Sequence, residues 1–414
     1  MTQDTGRTKP ASTPKRLLHR EMPFWAATPN ISVAADKAPK TQAWDVIIVG
    51  TGISGALMAE ALTRRKQSVL IVDRRQPVRG SSLASTAMIQ HEIDVPLHQL
   101  MRQIGPERAR RAWQRSARAV RDLQELVAKL GIDCGMQSKQ ALYLTGDEMG
   151  HRAMSEELDA RLEAGIPGEY LSSTDLRDRF GIERTGAILS DISASANPAQ
   201  LTAGLLAVAQ QRGAQIAAPI DITDIAEFSD GVALATRDGR VLRAGQAIFC
   251  TGYEFLPVMR SPLHRITSTW ALASQPRVAR PNWLDGMLVW EAASPYLYFR
   301  TTGDGRIIAG GEDRDDPTAY QDADRMRIAA DRIAAKLETL CGIRIGAPAY
   351  VWSAPFGNTS DGLPIIDRVP GMSRVHAVMG FGGNGITFSM IAAQIVAARL
   401  RGAGDPDEDI FALR

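Results

Sequence analysis

The stretch Gly50-Thr51-Gly52-Ile53-Ser54-Gly55 has the residue types and spacing that let a backbone close on a pyrophosphate. Gly50 permits a tight turn. Gly52 removes the Cβ that would stand between backbone and phosphate, and Gly55 lets a helix lie close on a strand. The free N–H groups and positive dipole end of the following helix would meet the phosphates. Asp73 follows at the spacing where a carboxylate accepts hydrogen bonds from ribose hydroxyls, with Arg74 beside it. Together these residues predict a bound dinucleotide.

Two further stretches suit a long cofactor. Gly80-Ser81-Ser82-Leu83-Ala84-Ser85-Thr86-Ala87-Met88 is small and polar, so its backbone can run close along an extended ligand. Thr251-Gly252 closes the apolar run Ala247-Ile248-Phe249-Cys250. Both favour FAD over NAD.

The elements that must position these residues can be read from periodicity. Trp44–Val49 and Ser68–Val72 are short, apolar and β-branched, as in strands buried on both faces. Ala56–Leu62 between them consists of good helix formers, completing a β-α-β unit. Residues 97–130 predict two helices broken near Gly105-Pro106, and further helices are expected over 150–164, 201–212, 320–340 and 387–400. Short strands fill 215–250 and 267–311, with Asp-Gly turns at Asp238-Gly239 and Asp304-Gly305.

Dinucleotide-type elements therefore fall at the start, middle and end of the chain. The fold class is α/β. A Rossmann-type FAD-binding domain, discontinuous in sequence, is expected over 41–95, 195–258 and 350–414. An α+β substrate domain built on an antiparallel sheet is expected over 96–194 and 259–349. Residues 1–40 read as a flexible arm, polar and aperiodic apart from Met22, Phe24 and Trp25, with Phe24 and Trp25 available to pack on the body.

Composition narrows the function classes. The chain has 414 residues, which implies two structural units. It is 44% hydrophobic and 23% charged, an ordinary globular balance. A formal net charge of +2 gives no reason to expect a nucleic-acid partner. The arginine-rich stretches Arg108–Arg111 and Arg115–Arg121 read as solvated helix faces. Cys134, Cys250 and Cys341 are scattered, with neither disulfide nor metal-ligand spacing, so no metal is expected and a reducing cytoplasm fits. No apolar run reaches the length of a transmembrane helix, and no signal peptide is read.

The sequence resembles the D-amino-acid-oxidase superfamily of FAD-dependent oxidoreductases, in particular its branch of glycine and sarcosine oxidases, D-amino-acid dehydrogenases and gamma-glutamylputrescine oxidoreductase. The resemblance runs from about Ala43 to about Leu400. It rests on the glycine fingerprint with Asp73, on Gly80–Met88, and on Cys250-Thr251-Gly252. Its most specific parts are Ser360-Asp361-Gly362-Leu363-Pro364-Ile365-Ile366 and Gly380-Phe381-Gly382-Gly383-Asn384-Gly385-Ile386-Thr387. It implies that Gly50, Gly52, Ile53, Ser54 and Gly55 hold the pyrophosphate, and that Asp73 holds the ribose with Arg74 near it. It also implies that Ser81, Ser82, Ala87 and Met88 line the cofactor, with Ile222, Thr251 and Gly252 near the adenine. Asp361, Gly362 and Gly382, Gly383, Asn384, Gly385, Ile386 and Thr387 would lie near the flavin. Helix N-terminal N–H groups there would stabilise negative charge on the reduced ring.

The sequence departs from its relatives in three places. Leu83 and Ala84 stand where some relatives carry a His that bonds FAD, and Ala354-Pro355-Phe356 stands where others carry a Cys, so FAD is expected to be non-covalent. No Arg lies in Val351–Asn358, where amino-acid-specific relatives clamp a substrate carboxylate; Arg300 could substitute. No Lys occurs between Lys139 and Lys336, where oxidase relatives place one over the flavin. His91 and Glu92, directly after the flavin-lining segment, are candidates to face the substrate, and Trp270, Trp290, Tyr296 and Tyr298 are candidate pocket walls.

The expected reaction is hydride transfer from the carbon bearing nitrogen of a small amine or amino acid to flavin N5, the imine then hydrolysing. Oxygen, or a quinone or other carrier, would accept the electrons. Oxidation of a hydroxy acid or polyol, and a non-catalytic flavin-binding subunit, stand as alternatives.

Overall fold

A computed structural model describes residues 7–41 and 43–414, so the part of the expected arm at residues 1–6 lies outside the described residues. Among those described, the strands form two nine-stranded sheets. In the first, Ala43–Val49 lies between Val69–Val72 and Val241–Phe249, all parallel. Gln215–Ala217 extends the parallel set at one side and Val375–Met379 at the other. Their central stretches Val46–Val49, Val69–Val72 and Ala247–Phe249 are apolar and buried because both faces are covered. Helix Ile53–Thr63 packs against Pro198–Gln211 and Gly385–Arg399 on one face.

The second sheet runs in the order Tyr350–Thr359, His264–Ala273, Ile307–Arg314, Leu297–Thr301, Met287–Glu291, Gln137–Leu144, Gly186–Ser195, Met88–Gln90. Its pairs are antiparallel except Met287–Glu291 with Gln137–Leu144. Helix Ala323–Cys341 covers one side of it. The pair Leu97–Ile104 and Pro106–Leu130 breaks at Gly105, whose φ of +89° suits glycine.

Three expectations are corrected. Met88–Gln90 and Tyr350–Thr359, assigned by sequence to the nucleotide-binding unit, hydrogen-bond into the second sheet. The arm from residue 7 is docked: Arg7–Pro10 adds an edge strand against Ile222–Glu227, Arg20 exchanges backbone hydrogen bonds with Ser353, and Phe24 and Trp25 are buried. Its polar composition hid this, because edge pairing uses the backbone and two aromatics suffice as anchors. The arginine runs are not wholly solvated either: Arg115 is buried and ion-paired with Asp405 and Asp407, and Arg111 pairs with Asp407 and Asp409. Among the described residues, no helix is long and apolar enough to cross a membrane.

The glycine turn fixes the geometry of the first sheet. A Cβ on Gly55 would stand 1.9 Å from the Gly50 carbonyl oxygen, and one on Gly50, at φ +123°, would stand 2.3 Å from that of Cys250. Gly55→Ala is expected to cost at least the ~1–3 kcal/mol of an overpacked core. Thermal denaturation should show a clear fall in midpoint, whereas Gly150→Ala, where a Cβ meets nothing within 4 Å, should leave it nearly unchanged.

Candidate active site

A single cavity of about 600 Å³ runs from the glycine turn to the inner face of the second sheet. At one end it is lined by Gly50, Gly52, Ile53 and Ser54, by Asp73 and Arg74, and by Ile222, Thr251 and Gly252. Asp73 is almost fully engaged by its own chain. Its Oδ2 accepts from the Thr51 N–H at 2.8 Å and the Thr51 hydroxyl at 2.7 Å, and its Oδ1 accepts from the Arg75 N–H at 2.8 Å. One acceptor position remains on Oδ1. Burial raises this carboxyl's pKa, against the pull of those donors and Arg75. Arg74 pairs with Asp221 and Arg75 with Glu254, so neither is a free cation.

Ser82 accepts the Ile53 N–H at 2.9 Å, capping the first turn of the fingerprint helix, and its hydroxyl still has a proton to donate. The Ser54 side chain turns away to Ser389 at 2.7 Å, so it offers the cavity only backbone.

Ser81, Ser82, Ala87 and Met88 line the middle of the cavity. The preceding backbone is gripped from outside: the carbonyls of Ala84, Ser85 and Thr86 accept hydrogen bonds from Trp352 Nε1 at 3.0 Å, Trp25 Nε1 at 2.6 Å and Arg300 Nε at 2.8 Å. Held this way, Ala87 adopts φ +50°, a conformation unusual for a residue with a Cβ. Ala11, Thr13 and Leu18 of the arm also line the cavity, and Arg74 fastens the arm by donating to Thr13.

At the far end stand Gly382, Gly383, Asn384, Gly385 and Ile386, facing Tyr253, Tyr296 and Tyr298. Tyr143 and Trp290, stacked at 3.7 Å, form another wall. Two strand glycines let these rings in. A Cβ on Gly310 would lie 2.3 Å from the Tyr298 hydroxyl, and one on Gly357 would lie 2.6 Å from the Tyr253 ring. Asp313 accepts the Tyr296 hydroxyl at 2.9 Å, and Asp94 accepts the Gly383 N–H at 2.8 Å. Burial pushes the Asp313 carboxyl up to about 6 despite the Thr269 and Tyr296 hydroxyls beside it; Asp94 adds to the rise. Burial also raises Asp94.

Several sequence candidates do not reach the cavity. Gly55 lies behind the turn against Gly50. Asp361 is bound by Arg414 at 2.5 and 2.7 Å, and Gly362, at φ +68°, packs on Ile93 and Val95. Thr387 spends its hydroxyl on the Gln90 carbonyl, and Trp270 is core. His91 is buried against Trp113, with Nδ1–H donating to the Ile192 carbonyl at 2.9 Å, and burial lowers its pKa. Arg300 is buried over Trp25 and donates to the carbonyls of Thr86, Ala196 and Thr301; desolvation brings its pKa down to about 9. It positions backbone and clamps no substrate. Conversely, sequence reasoning missed Asp94, Asp313, Tyr143 and Tyr253. The glycines at 310 and 357, inside apolar strands, were the available signal.

Comparison with known proteins agrees with this geometry. The family model DAO, described as FAD dependent oxidoreductase, matches residues 45–399. Probable oxidoreductase OrdL of Haemophilus influenzae is 20% identical over 370 residues, covering 86% of this chain and 83% of the relative. Gamma-glutamylputrescine oxidoreductase of Escherichia coli is 21% identical over 392 residues, covering 92% and 88%. The crystal structure of glycine oxidase from Geobacillus kaustophilus superposes with a TM-score of 0.73 at 22% identity, covering 90% of this chain and 99% of that one.

Two outcomes follow for these side chains. Arg300→Leu strands three buried carbonyls and should cost about 2–4 kcal/mol, read as a lowered thermal midpoint. Asp313 holds its proton more tightly when folded than when unfolded, so its contribution to stability is complete below about pH 4 and is lost as pH rises through about 6. Denaturation midpoints measured across that window should fall less steeply in Asp313→Asn than in the parent.

Proposed function

The chain belongs to the DAO family of FAD-dependent oxidoreductases, and we propose that it oxidises a small amine at the carbon bearing nitrogen. The observation that supports this reading is the single cavity, which joins a dinucleotide cradle to an aromatic, acidic chamber without a free arginine in its interior. The arginines along it are Arg74 and Arg75, paired with acids near the cradle, and the exposed Arg314. A substrate carboxylate would find no buried guanidinium to hold it, which favours an amine over an amino acid.

The residues present fit FAD. The bare Cα of Gly52, where a Cβ would meet only the Ser82 hydroxyl, leaves the approach that a pyrophosphate needs, and Asp73 keeps one acceptor for a ribose hydroxyl. FAD, when bound, supplies the acceptor for the hydride. No histidine lines the cavity, and the thiol of Cys250, which does, is pushed up to about 12 by burial, so the cofactor is held without a covalent bond. The first turn of Gly385–Arg399 would stabilise negative charge at the flavin edge. The rings of Tyr253, Tyr296 and Tyr298 would exclude water from the bound substrate. Their phenols stay protonated, because burial raises the pKa of each. No lysine lines the cavity, which favours a carrier other than oxygen as electron acceptor. The three cysteines are unpaired, which supports a cytoplasmic location.

The test is the visible spectrum of the purified protein, followed anaerobically as amines, amino acids and hydroxy acids are added in turn. Bleaching of the flavin bands by amines is expected. Bleaching by hydroxy acids alone would replace this reading with alcohol oxidation, and a flavin that no donor bleaches would point to a subunit without turnover of its own.

A further inference from the structure

Asp313 and Asp94 line the chamber and are left without a cation by the protein itself, as is the exposed Glu148 on the same cavity. Asp313 closes the strand Ile307–Arg314, next to Glu312. A bulge in the strand at this point, with Glu312 at φ +59°, sends the two side chains different ways. Glu312 meets Lys336 Nζ at 2.6 Å and Arg332 at 3.5 Å. Asp313 turns inward, where its Oδ2 takes the Tyr296 hydroxyl and only the Thr269 hydroxyl stands beside it otherwise. Among the described residues, no ion pair reaches Asp313 or Asp94. Glu92, another acid on the cavity, is already balanced by Arg161 at 3.5 Å and by the Ser190 hydroxyl at 2.6 Å. Arg314 borders the cavity as well but is exposed.

An enclosed carboxylate without a charged partner is costly, and its surroundings show what would relieve it. The rings beside Asp313 are Tyr296 and Tyr298, 5.7 Å apart, with Tyr253 across the cavity. Neutral aromatic faces attract cations, and Asp313 with Asp94 supplies the opposite charge. An amine whose only nitrogen must lose its proton before oxidation gains little from such a surface. A substrate with a second nitrogen gains much.

We propose that the Asp313 end of the cavity, walled by Tyr253, Tyr296 and Tyr298, is a subsite for a second positive charge. The substrate is then an amine that carries another cationic nitrogen several carbons from the one oxidised. This rests on the amine reading above and specifies its substrate class.

The test is calorimetric titration of the FAD-loaded protein, under anaerobic conditions, with α,ω-diaminoalkanes of three to six carbons and with the monoamine of each length. At least one diamine should bind about tenfold or more tightly than its monoamine, and Asp313→Asn should erase that preference. The Asn side chain can still accept from Tyr296, so the chamber keeps its shape. Equal binding of every diamine and its monoamine, or a preference that survives Asp313→Asn, overturns the subsite. The bleaching experiment reports separately on the reaction: an amine that bleaches the flavin without any diamine preference leaves amine oxidation standing and removes the subsite alone.

Discussion

Three consecutive carbonyls, those of Ala84, Ser85 and Thr86, set the form of the site. Each is held by a buried donor from a distant part of the chain: Trp352 from the second sheet's edge strand, Trp25 from the arm, Arg300 from the middle of the second sheet. A backbone gripped on its carbonyl side presents its other side to the cavity, with Ala87 strained into an unusual conformation as a result. The buried charge of Arg300 is tolerated because carbonyl dipoles surround the guanidinium. The floor of the cavity therefore needs the second sheet and the arm in place at once.

The cavity's two ends use charge in opposite ways. Near the glycine turn, acids and arginines cancel in pairs, and Asp73 serves mainly to hold the turn through Thr51. What faces a phosphate there is backbone N–H and a helix dipole. At the chamber end Asp94 and Asp313 are not cancelled. Asp94 reaches only the Gly383 N–H, and Asp313 only neighbouring hydroxyls. The contrast separates a part built to hold a fixed anion from a part built to receive something positive.

What the sequence revealed followed the range of the interaction. The fingerprint, Asp73 and the flanking strands are local, so their spacing carried the geometry. The final glycine turn was legible for the same reason, as was the helix break at Gly105. Arg300 and His91 were misread because their roles depend on partners such as Thr86, Ala196 and Ile192, which no spacing rule connects to them. Asp313 left no periodic trace: it sits among acids and arginines at a strand end, where a solvated run is the ordinary expectation. The domain outline missed strands Met88–Gln90 and Tyr350–Thr359, because an edge pairing is decided by what lies alongside in space.

The arm's partners lie far along the chain. Ala11 bonds to the Thr223 carbonyl, the Arg16 N–H to Glu254, and Arg20 to Ser353. During synthesis this segment emerges before its partners and has nothing to dock on until those residues have been made. Chain order thus makes the strap over the nucleotide end of the cavity one of the late closures of the molecule, although it is translated before every residue it docks on.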